Sequence, residues 1–502
     1  NNLSYESSNL TKIRIILSNQ NKLKRAMHSR HLNMIAIGGA IGTGLFVASG
    51  NTIATAGPGG ALLAYALIGF MVYLLMQSLG ELATYMPVAG SFHEYGSRFI
   101  SSSFGFAIGW NYWFNWAITV AAELVAAAII MKFWFPDVPA WIWSGSFLAG
   151  ILLINYFSVR TFGESEFWFA LIKVLAVIAF IMLGLAMIFG IMNGHVSGFN
   201  NWFLEDTTTG QSAPFVGGAL GILAVFMVAG FSFQGTELVA VAAGEAKDPN
   251  KSIPKAINAI FWRILLFYIF AIFIIGTLLP FTDPNLLKNS ETDIAQSPFT
   301  ILFDRAGVAF AASVMNAVIF TAIFSAGNSG LYSSTRMLYA LAKSSKAPKI
   351  FAKTDSRGVP VYALIATATI GAACFLTSLL GDGAAYFWLI NASALAGFIT
   401  WAGIAWSHYK FRKAYIAQGK DINDLPFKAK WYPLGPILAL IMCIIVIIGQ
   451  NYEALIQGRD FVALLTSYIG LWLFLLIWAG HKLITKSKAI DPLQADLKRY
   501  DY

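Results

Sequence analysis

Charge is what this chain has least of. Only 12% of its 502 residues are Asp, Glu, Lys or Arg, while 57% are hydrophobic. A soluble domain keeps about a quarter of its residues charged, so a water-solvated enzyme or scaffold is excluded at the outset. Cysteine is nearly absent. Cys374 and Cys443 are the two in the chain, and both lie in apolar runs. They read as small buried hydrophobes, with no disulfide framework and no thiolate metal centre. The six histidines fall at no metal-binding spacing. No Walker, dinucleotide-binding or Ser-His-Asp pattern occurs, which argues against ATP coupling, a cofactor and catalysis. The first apolar segment, 33–49, is long and glycine-rich and lacks a small-x-small cleavage site. It reads as a spanning helix and not as a removable signal.

What the chain has in abundance is apolar runs long enough to cross a bilayer. They fall near 31–50, 58–84, 104–134, 139–158, 165–192, 215–243, 257–280, 306–334, 360–380, 384–409, 432–450 and 461–484. Twelve spans and no soluble domain are expected. With both termini in the cytoplasm, all but five of the 34 lysines and arginines lie on that side. The five are Lys132, Lys288, Arg305, Arg459 and the intramembrane Lys173. Cytoplasmic termini follow from the positive-inside rule. The net charge of +9 then reflects this asymmetry and contact with anionic lipid, with no nucleic-acid partner required. Residues 1–30 read as a short cytoplasmic tail. The longest outer loops, 194–214 and 281–305, include Asp283, Glu291, Asp293 and Asp304.

Three charges sit where water does not reach. Lys173 lies inside the run 167–189, Glu123 inside 110–131 and Glu237 inside 215–244. At about 1.5 Å of rise per residue, Lys173 is about 13 Å deep in a core about 30 Å thick. Its ammonium must face the bundle interior and find a partner there. Buried charges of both signs in a polytopic chain mark a solute or ion pathway. Spans one and six share a second peculiarity. Gly38-Gly39-Ala40-Ile41-Gly42-Thr43-Gly44 is too glycine-rich for a continuous helix, and Gly230 and Gly235 bracket polar groups before Glu237. Breaks five spans apart suggest two inverted repeats, 31–192 and 215–409, followed by spans at 431–484 and a cytoplasmic tail, 485–502. Close small-xxx-small packing at Gly38 and Gly42 is the competing explanation.

Several stretches resemble a known family. "GGAIGTGLF" (38–46) with "AGPGGALLAYALIGFMVYLLMQSLGELATYMPVAGSF" (56–92) is similar to the amino acid permease signature. "YWFNWAITVAAELVAAA" (112–128), "GESEFWFALIKVLAVIAF" (163–180), "FSFQGTELVAVAAGEAKDPNKSIPKAI" (231–257) and "SAGNSGLYSSTRMLYALA" (325–342) follow in the expected order. The resemblance is to the amino acid–polyamine–organocation superfamily, within it most to the bacterial lysine-specific permeases. It implies an all-α, twelve-helix, leucine-transporter-like fold with a 5+5 inverted repeat, in a bacterial cell (inner) membrane. It also implies proton-coupled uptake of L-lysine by alternating access, with a lysine or basic amino acid exchanger, or a permease for another amino acid, as alternatives. Protons and membrane lipids are the other expected partners. Selectivity between lysine, arginine and ornithine, and any protein partner or oligomer, are not set by the sequence.

The resemblance and backbone physics agree on the substrate's two ends. Gly42, Thr43 and Gly44 would meet the α-carboxylate with N–H groups at a helix start. Carbonyls near Ile41 and at Phe231, Ser232, Phe233 and Gln234 would meet the α-ammonium. Glu123 shares a strict i+4 stripe with Asn111, Asn115 and Thr119. It is expected to carry the coupling proton or contact substrate generally, to pair with the lysine ε-ammonium, or to make a structural hydrogen bond. By resemblance Lys173 stands where sodium-driven relatives hold a cation. It either cycles its proton or serves as a fixed charge. Glu237 is open between side-chain binding, proton release and holding span six to a neighbour. Ser325, Asn328 and Ser329 on span eight, and Asn391 and Ser393 on span ten, are expected at the distal end of the substrate. Phe231, Phe233 and Trp388 are gate candidates. His93 and Glu94 are expected on the cytoplasmic surface, and His195, His408 and His481 at helix ends.

Overall fold

A computed structural model describes residues 23–39, 41–192, 198–286, 297–308, 310–373, 375, 382–458 and 461–499. The expected amino-terminal tail therefore lies mostly outside the described residues, as do Ala40, His195, Lys288, Glu291, Asp293, Cys374 and Arg459. The architecture is an all-α polytopic membrane protein. Helix α1 (Ser29–Met34) continues as a π-turn over Ile35–Gly39, and a second π-turn, Gly44–Ala48, leads into α2 (Ser49–Tyr85). Then come α3 (Ser91–Phe99), α4 (Ser102–Met131), α5 (Ala140–Phe157) and α6 (Val159–Ile188). The middle of the chain holds α7 (Gly218–Phe233), α8 (Leu238–Ala243), α9 (Pro249–Arg263), α10 (Ala271–Leu278), α11 (Pro298–Arg305) and α12 (Ala311–Lys343). It closes with α13 (Val361–Ala373), α14 (Asp382–Ala417), α15 (Leu434–Gly449), α16 (Tyr452–Gln457), α17 (Phe461–Ser467) and α18 (Ile469–Thr485). A two-rung antiparallel hairpin, Glu205–Asp206 with Gln211–Ser212, occupies the long connection before α7.

Among the described residues, eight helical stretches are long and apolar enough to cross a membrane, joined by the shorter apolar helices α13, α15 and α18. One of the eight, Gly44–Tyr85, has 42 residues, about 63 Å at 1.5 Å each and twice a hydrocarbon core. It is the later part of span one and the whole of span two, joined at Gly57, where φ is +75°. Pro58 follows, preset to start a helix, and the carbonyl of Pro214 accepts the N–H groups of Gly59 (2.9 Å) and Gly60 (3.2 Å). A Cβ on Gly57 would lie 2.7 Å from that same oxygen, so the turn requires glycine. Helix starts elsewhere are capped by side chains. Ser101 Oγ accepts from Phe104 N, and Ser158 Oγ accepts from Thr161 N, each at 3.1 Å.

Helix α4 forms the axis of the bundle, packed by α3, α5, α12, α13, α14 and α18. Its Tyr112 and Trp116 are fully buried. The rim faces lipid, with Trp141 and Leu153 on α5, Trp168, Leu175 and Met182 on α6, and Ile441, Ile445 and Ile448 on α15 exposed. Two helices outrun their sequence-predicted ends. Helix α12 continues past 334 to Lys343, and α14 past 409 to Ala417. The added turns bury charge in pairs. Arg336 Nε donates to Glu245 Oε1 at 2.7 Å, with Tyr332 OH on the same oxygen at 2.7 Å. Arg412 grips Glu81 through Nε (2.7 Å) and Nη2, and Ala429 N donates to Glu81 Oε2 at 2.7 Å.

The described start of the chain is no free tail. Met27 pairs with Ala246 as a parallel bridge: Met27 N donates to Glu245 O at 3.0 Å, and Lys247 N donates to Met27 O at 2.9 Å. Arg25 reaches the carbonyls of Ala246 and Pro87, and Lys24 that of Ser356. The histidine expectations also change. His93 is buried, its Nδ1 2.8 Å from Gly105 O, because α3 packs flat on the start of α4. His408 lies within α14, its Nε2 3.1 Å from Glu81 Oε1.

Candidate functional site

Two stretches in the middle of the bundle leave helical geometry and face each other. In the first, the backbone is non-helical at Ile41 and Gly42 between the two π-turns. In the second, α7 stops at Phe233, Gln234 has ψ 144° and Gly235 has φ +92°, and α8 starts at Leu238. The two meet at Gly44 and Ser232. A Cβ on Gly44 would lie 2.6 Å from Ser232 Cα, so only a bare backbone fits.

Glu123 reaches this contact from α4. Thr43 Oγ1 donates to its Oε1 at 3.1 Å, and Gly42 leaves the space that the carboxylate fills, since a Cβ there would be 2.7 Å from Oε1. The other oxygen, Oε2, is buried and accepts no hydrogen bond among the described residues. A carboxylate oxygen held out of water without a donor is costly unless a proton or a cation meets it. Tyr386, fully buried on α14, stands within electrostatic reach of Glu123 and Thr43.

A second polar cluster lies between α5, α6 and α12. Lys173 is fully buried, and its Nζ donates to Ser325 Oγ at 2.8 Å. Ser325 Oγ donates in turn to Glu166 Oε2 at 2.7 Å. Asn328 Nδ2 donates to Glu166 Oε1 at 2.7 Å, and Asn155 Nδ2 to Asn328 Oδ1 at 2.7 Å. Arg263 adds a further cation nearby, donating to Ala36 O and to Tyr268 OH, each at 2.9 Å. Glu166 escaped the sequence reading. It follows Glu164 and Ser165 so closely that it resembles a polar helix start, yet it lies seven residues before Lys173. That is two turns, hence the same face. An opposite charge at i−7 to a buried lysine was the available signal.

The α7–α8 bend is heavily tied. Gln234 Nε2 donates to Asn115 Oδ1 (3.1 Å) and Ser393 O (2.8 Å), and Ser393 Oγ is 2.6 Å from Thr119 Oγ1. Ser232 Oγ lies 2.8 Å from Tyr65 OH, and Phe233 stacks on Tyr268 at 4.2 Å between centroids. Glu237 Oε2 accepts from Gly235 N at 3.1 Å and Trp401 Nε1 at 3.2 Å, so it braces the bend against α14. The carbonyls of Phe231 and Phe233 already accept Gln234 N (3.2 Å) and Thr236 N (3.4 Å). They are therefore less free than the sequence implied, because the bend closes its own turns.

The expected residues thus fall into groups. Gly42, Thr43, Gly44, Ser232 and Glu123 come together, with Ile41 and Phe231 buried alongside. Lys173, Ser325 and Asn328 gather around Glu166. Asn391 belongs to neither. It is exposed, with Trp388, in a cavity of about 740 Å³ between α4, α7, α14 and α18. This helix face turns away from Thr43 and Glu123 because Ser393, two positions on, takes the inward place.

Comparison with known proteins bears on what such a bundle does. The family described as "Amino acid permease" matches residues 31–492. The chain is 59% identical to the lysine-specific permease LysP of Escherichia coli (strain K12), over 92% of this chain and 94% of that protein. It is 53% identical to the lysine-specific permease LysP of Lactococcus lactis subsp. cremoris (strain MG1363), over 96% and 94%. The histidine permease HisP of the same organism is 49% identical over 96% and 100%. Among solved structures, a manganese transporter from Eremococcus coleocola superposes with a TM-score of 0.53, over 91% of this chain and 93% of that one, at 13% identity. That likeness speaks to the fold alone.

Proposed function

The chain belongs to the amino acid permease family, and from that premise we propose that it is a proton-coupled importer of L-lysine. It is a membrane carrier and not an enzyme. The observation that carries the reading is Glu123 Oε2, a buried acceptor with no donor among the described residues, beside the bare backbone of Gly42 and Gly44. An amino acid brings the complementary groups: an ammonium for the carboxylate, and a carboxylate for the N–H groups and hydroxyl at Thr43. Identity to two lysine-specific permeases supports lysine as the amino acid.

In this reading the two interrupted stretches hold the substrate between inverted repeats, 31–192 and 215–409. The bundle rocks about them to open first outward and then inward. The end rich in lysine and arginine, with both termini, faces the cytoplasm of a bacterial cell membrane. Glu123 takes the proton or the substrate ammonium, and Lys173 changes partners as the site opens. Importing one lysine cation with one proton moves two charges inward. At about 2.3 kcal/mol per charge per 100 mV, the membrane potential alone drives accumulation.

Proteoliposomes loaded with buffer, inside-negative and outside-acidic, test the reading with labelled lysine. The expected result is accumulation that excess lysine displaces and neutral amino acids do not. Exchange against preloaded lysine without net accumulation would instead mean an antiporter, and displacement by histidine alone would shift the substrate.

A further inference from the structure

Lys173 and Glu166 are linked through a serine hydroxyl. Ser325 stands between them, accepting from Nζ and donating to Oε2. That geometry is a proton wire with both hydrogen bonds already in place. We propose that Glu166 is the station through which the coupled proton leaves Lys173 toward the lysine- and arginine-rich end of the bundle. The inference deepens the proton-coupled reading and rests on it.

The transfer balances without any further reactant. An N–H bond of the Lys173 ammonium breaks as its proton bonds to Ser325 Oγ, while the Ser325 O–H proton bonds to Glu166 Oε2. The serine ends as it began. The ammonium becomes an amine, the carboxylate a carboxylic acid, and two opposite charges vanish from a medium that disfavours each of them. The direction is fixed by the helix. Glu166 is seven residues before Lys173 on α6, about 10 Å nearer the basic end at 1.5 Å per residue. One turn further, a Cβ on Gly163 would meet His31 Nδ1 at 2.9 Å. His31 Nε2 lies 3.2 Å from Glu164 Oε1, and Glu164 also pairs with the exposed Arg30. A proton on Glu166 is thus one helical turn from groups that reach water.

The surroundings favour a carrier over a fixed brace. From α12, Ser325, Asn328 and Ser329 face Glu166, while Arg336 on the same helix is engaged by Glu245. Asn155 supports Asn328 from α5, and His31 comes from α1. Arg263 on α9 and Glu123 on α4 also act electrostatically on Lys173. Glu166 therefore accepts hydrogen bonds from neutral amide and hydroxyl groups on α12, and among the described residues no arginine pairs with it. Neutral donors hold the carboxylate more firmly than the acid, but less firmly than the paired bonds and full charge of a guanidinium would, so the group can still be discharged.

The test uses purified full-length protein in liposomes containing a pH-sensitive dye, with the potential clamped at zero and a one-unit pH gradient, outside acidic. With one proton per lysine, such a gradient accumulates lysine about tenfold. Wild type is expected to do this, with matching acidification of the lumen. If wild type accumulates nothing, the symport reading falls and this inference with it. Given a coupled wild type, Glu166→Gln is expected to lose the tenfold accumulation and the lumen acidification. It should still be stabilised by lysine in a thermal-shift assay, and Glu166→Asp should recover part of the coupling. Ser325→Ala is expected to follow Glu166→Gln, and Ser325→Thr, which keeps the hydroxyl, to follow wild type. Glu166→Gln that accumulates lysine as wild type does overturns the proposal. So does a Ser325→Ala variant with unchanged proton-to-lysine ratio, which decides the matter if Glu166→Gln fails to fold.

Discussion

Glu123 Oε1 accepts from the Thr43 hydroxyl, and its Oε2 has no hydrogen-bond donor among the described residues. An amide in its place keeps the shape but neither holds a proton nor attracts an ammonium. Glu123→Gln is therefore expected to reduce pH-driven lysine accumulation by about tenfold per unit of gradient, read as the steady-state ratio in proteoliposomes. A Gln variant that accumulates normally would leave Glu123 a structural role alone. At this scale, the sequence made some residues visible and hid others. Lys173, Glu123 and Glu237 are conspicuous because each interrupts an apolar run. Glu166 is fully buried like them, but it sits where the run has just begun, so hydropathy could not separate it from the polar loop. Asn391 was misplaced for a different reason. Helix α14 is apolar on all faces over its middle, so no periodicity tells which side of it turns inward.

Elements meet in this bundle through bare backbone. At Gly44 the nearest obstacle to a side chain is the Ser232 backbone, which cannot swing away as a long side chain would. Gly44→Ala is expected to cost about 1–3 kcal/mol of stability, seen as a lower melting temperature in detergent with loss of transport. Gly145→Ala, where a Cβ meets nothing within 4 Å, serves as the neutral reference. The junction of α3 with α4 carries a pH signature. Burial, helped by the nearby Lys346 ammonium, holds the His93 imidazole down to about 4, below its ordinary 6.5. The folded protein then binds fewer protons than the unfolded chain between those values, so stability falls as pH drops from 6.5 to about 4. His93→Gln is expected to flatten that part of the melting-temperature profile, a change on the order of 3 kcal/mol across the window. The sequence placed His93 on the surface because α3 is amphipathic in pattern; its packing against Gly105 shows only in three dimensions.

Across the whole molecule, the spans were readable because a bilayer demands long apolar runs, and the reversal at Gly57-Pro58 because those two residues punctuate any helix. Less readable were the ends of α12 and α14, whose charged last turns resemble loops until Glu245 and Glu81 are brought to Arg336 and Arg412 by distant segments. These pairs tie the basic end of the bundle together. Arg412→Ala leaves Glu81 buried without its guanidinium, and a loss of about 3–5 kcal/mol is expected. Thermal unfolding in detergent checks it. Replacing both partners by Glu81→Leu with Arg412→Met is expected to recover most of that loss, because the desolvation of two charges disappears with them.

The amino-terminal bridge did not announce itself in the sequence, since a single rung at Met27 has no period to detect. It joins residue 27 to residues 245–247, just beyond the end of α8. Any rearrangement that carries the end of α8 farther than a hydrogen bond can stretch must drag Met27 along or snap the rung. The short length of chain between Met27 and the interruption at Gly42 then works as a tether, yoking one interrupted stretch to the other. A bulky tag fused upstream of Lys24 would hang its load on that tether and brake a motion it never touches.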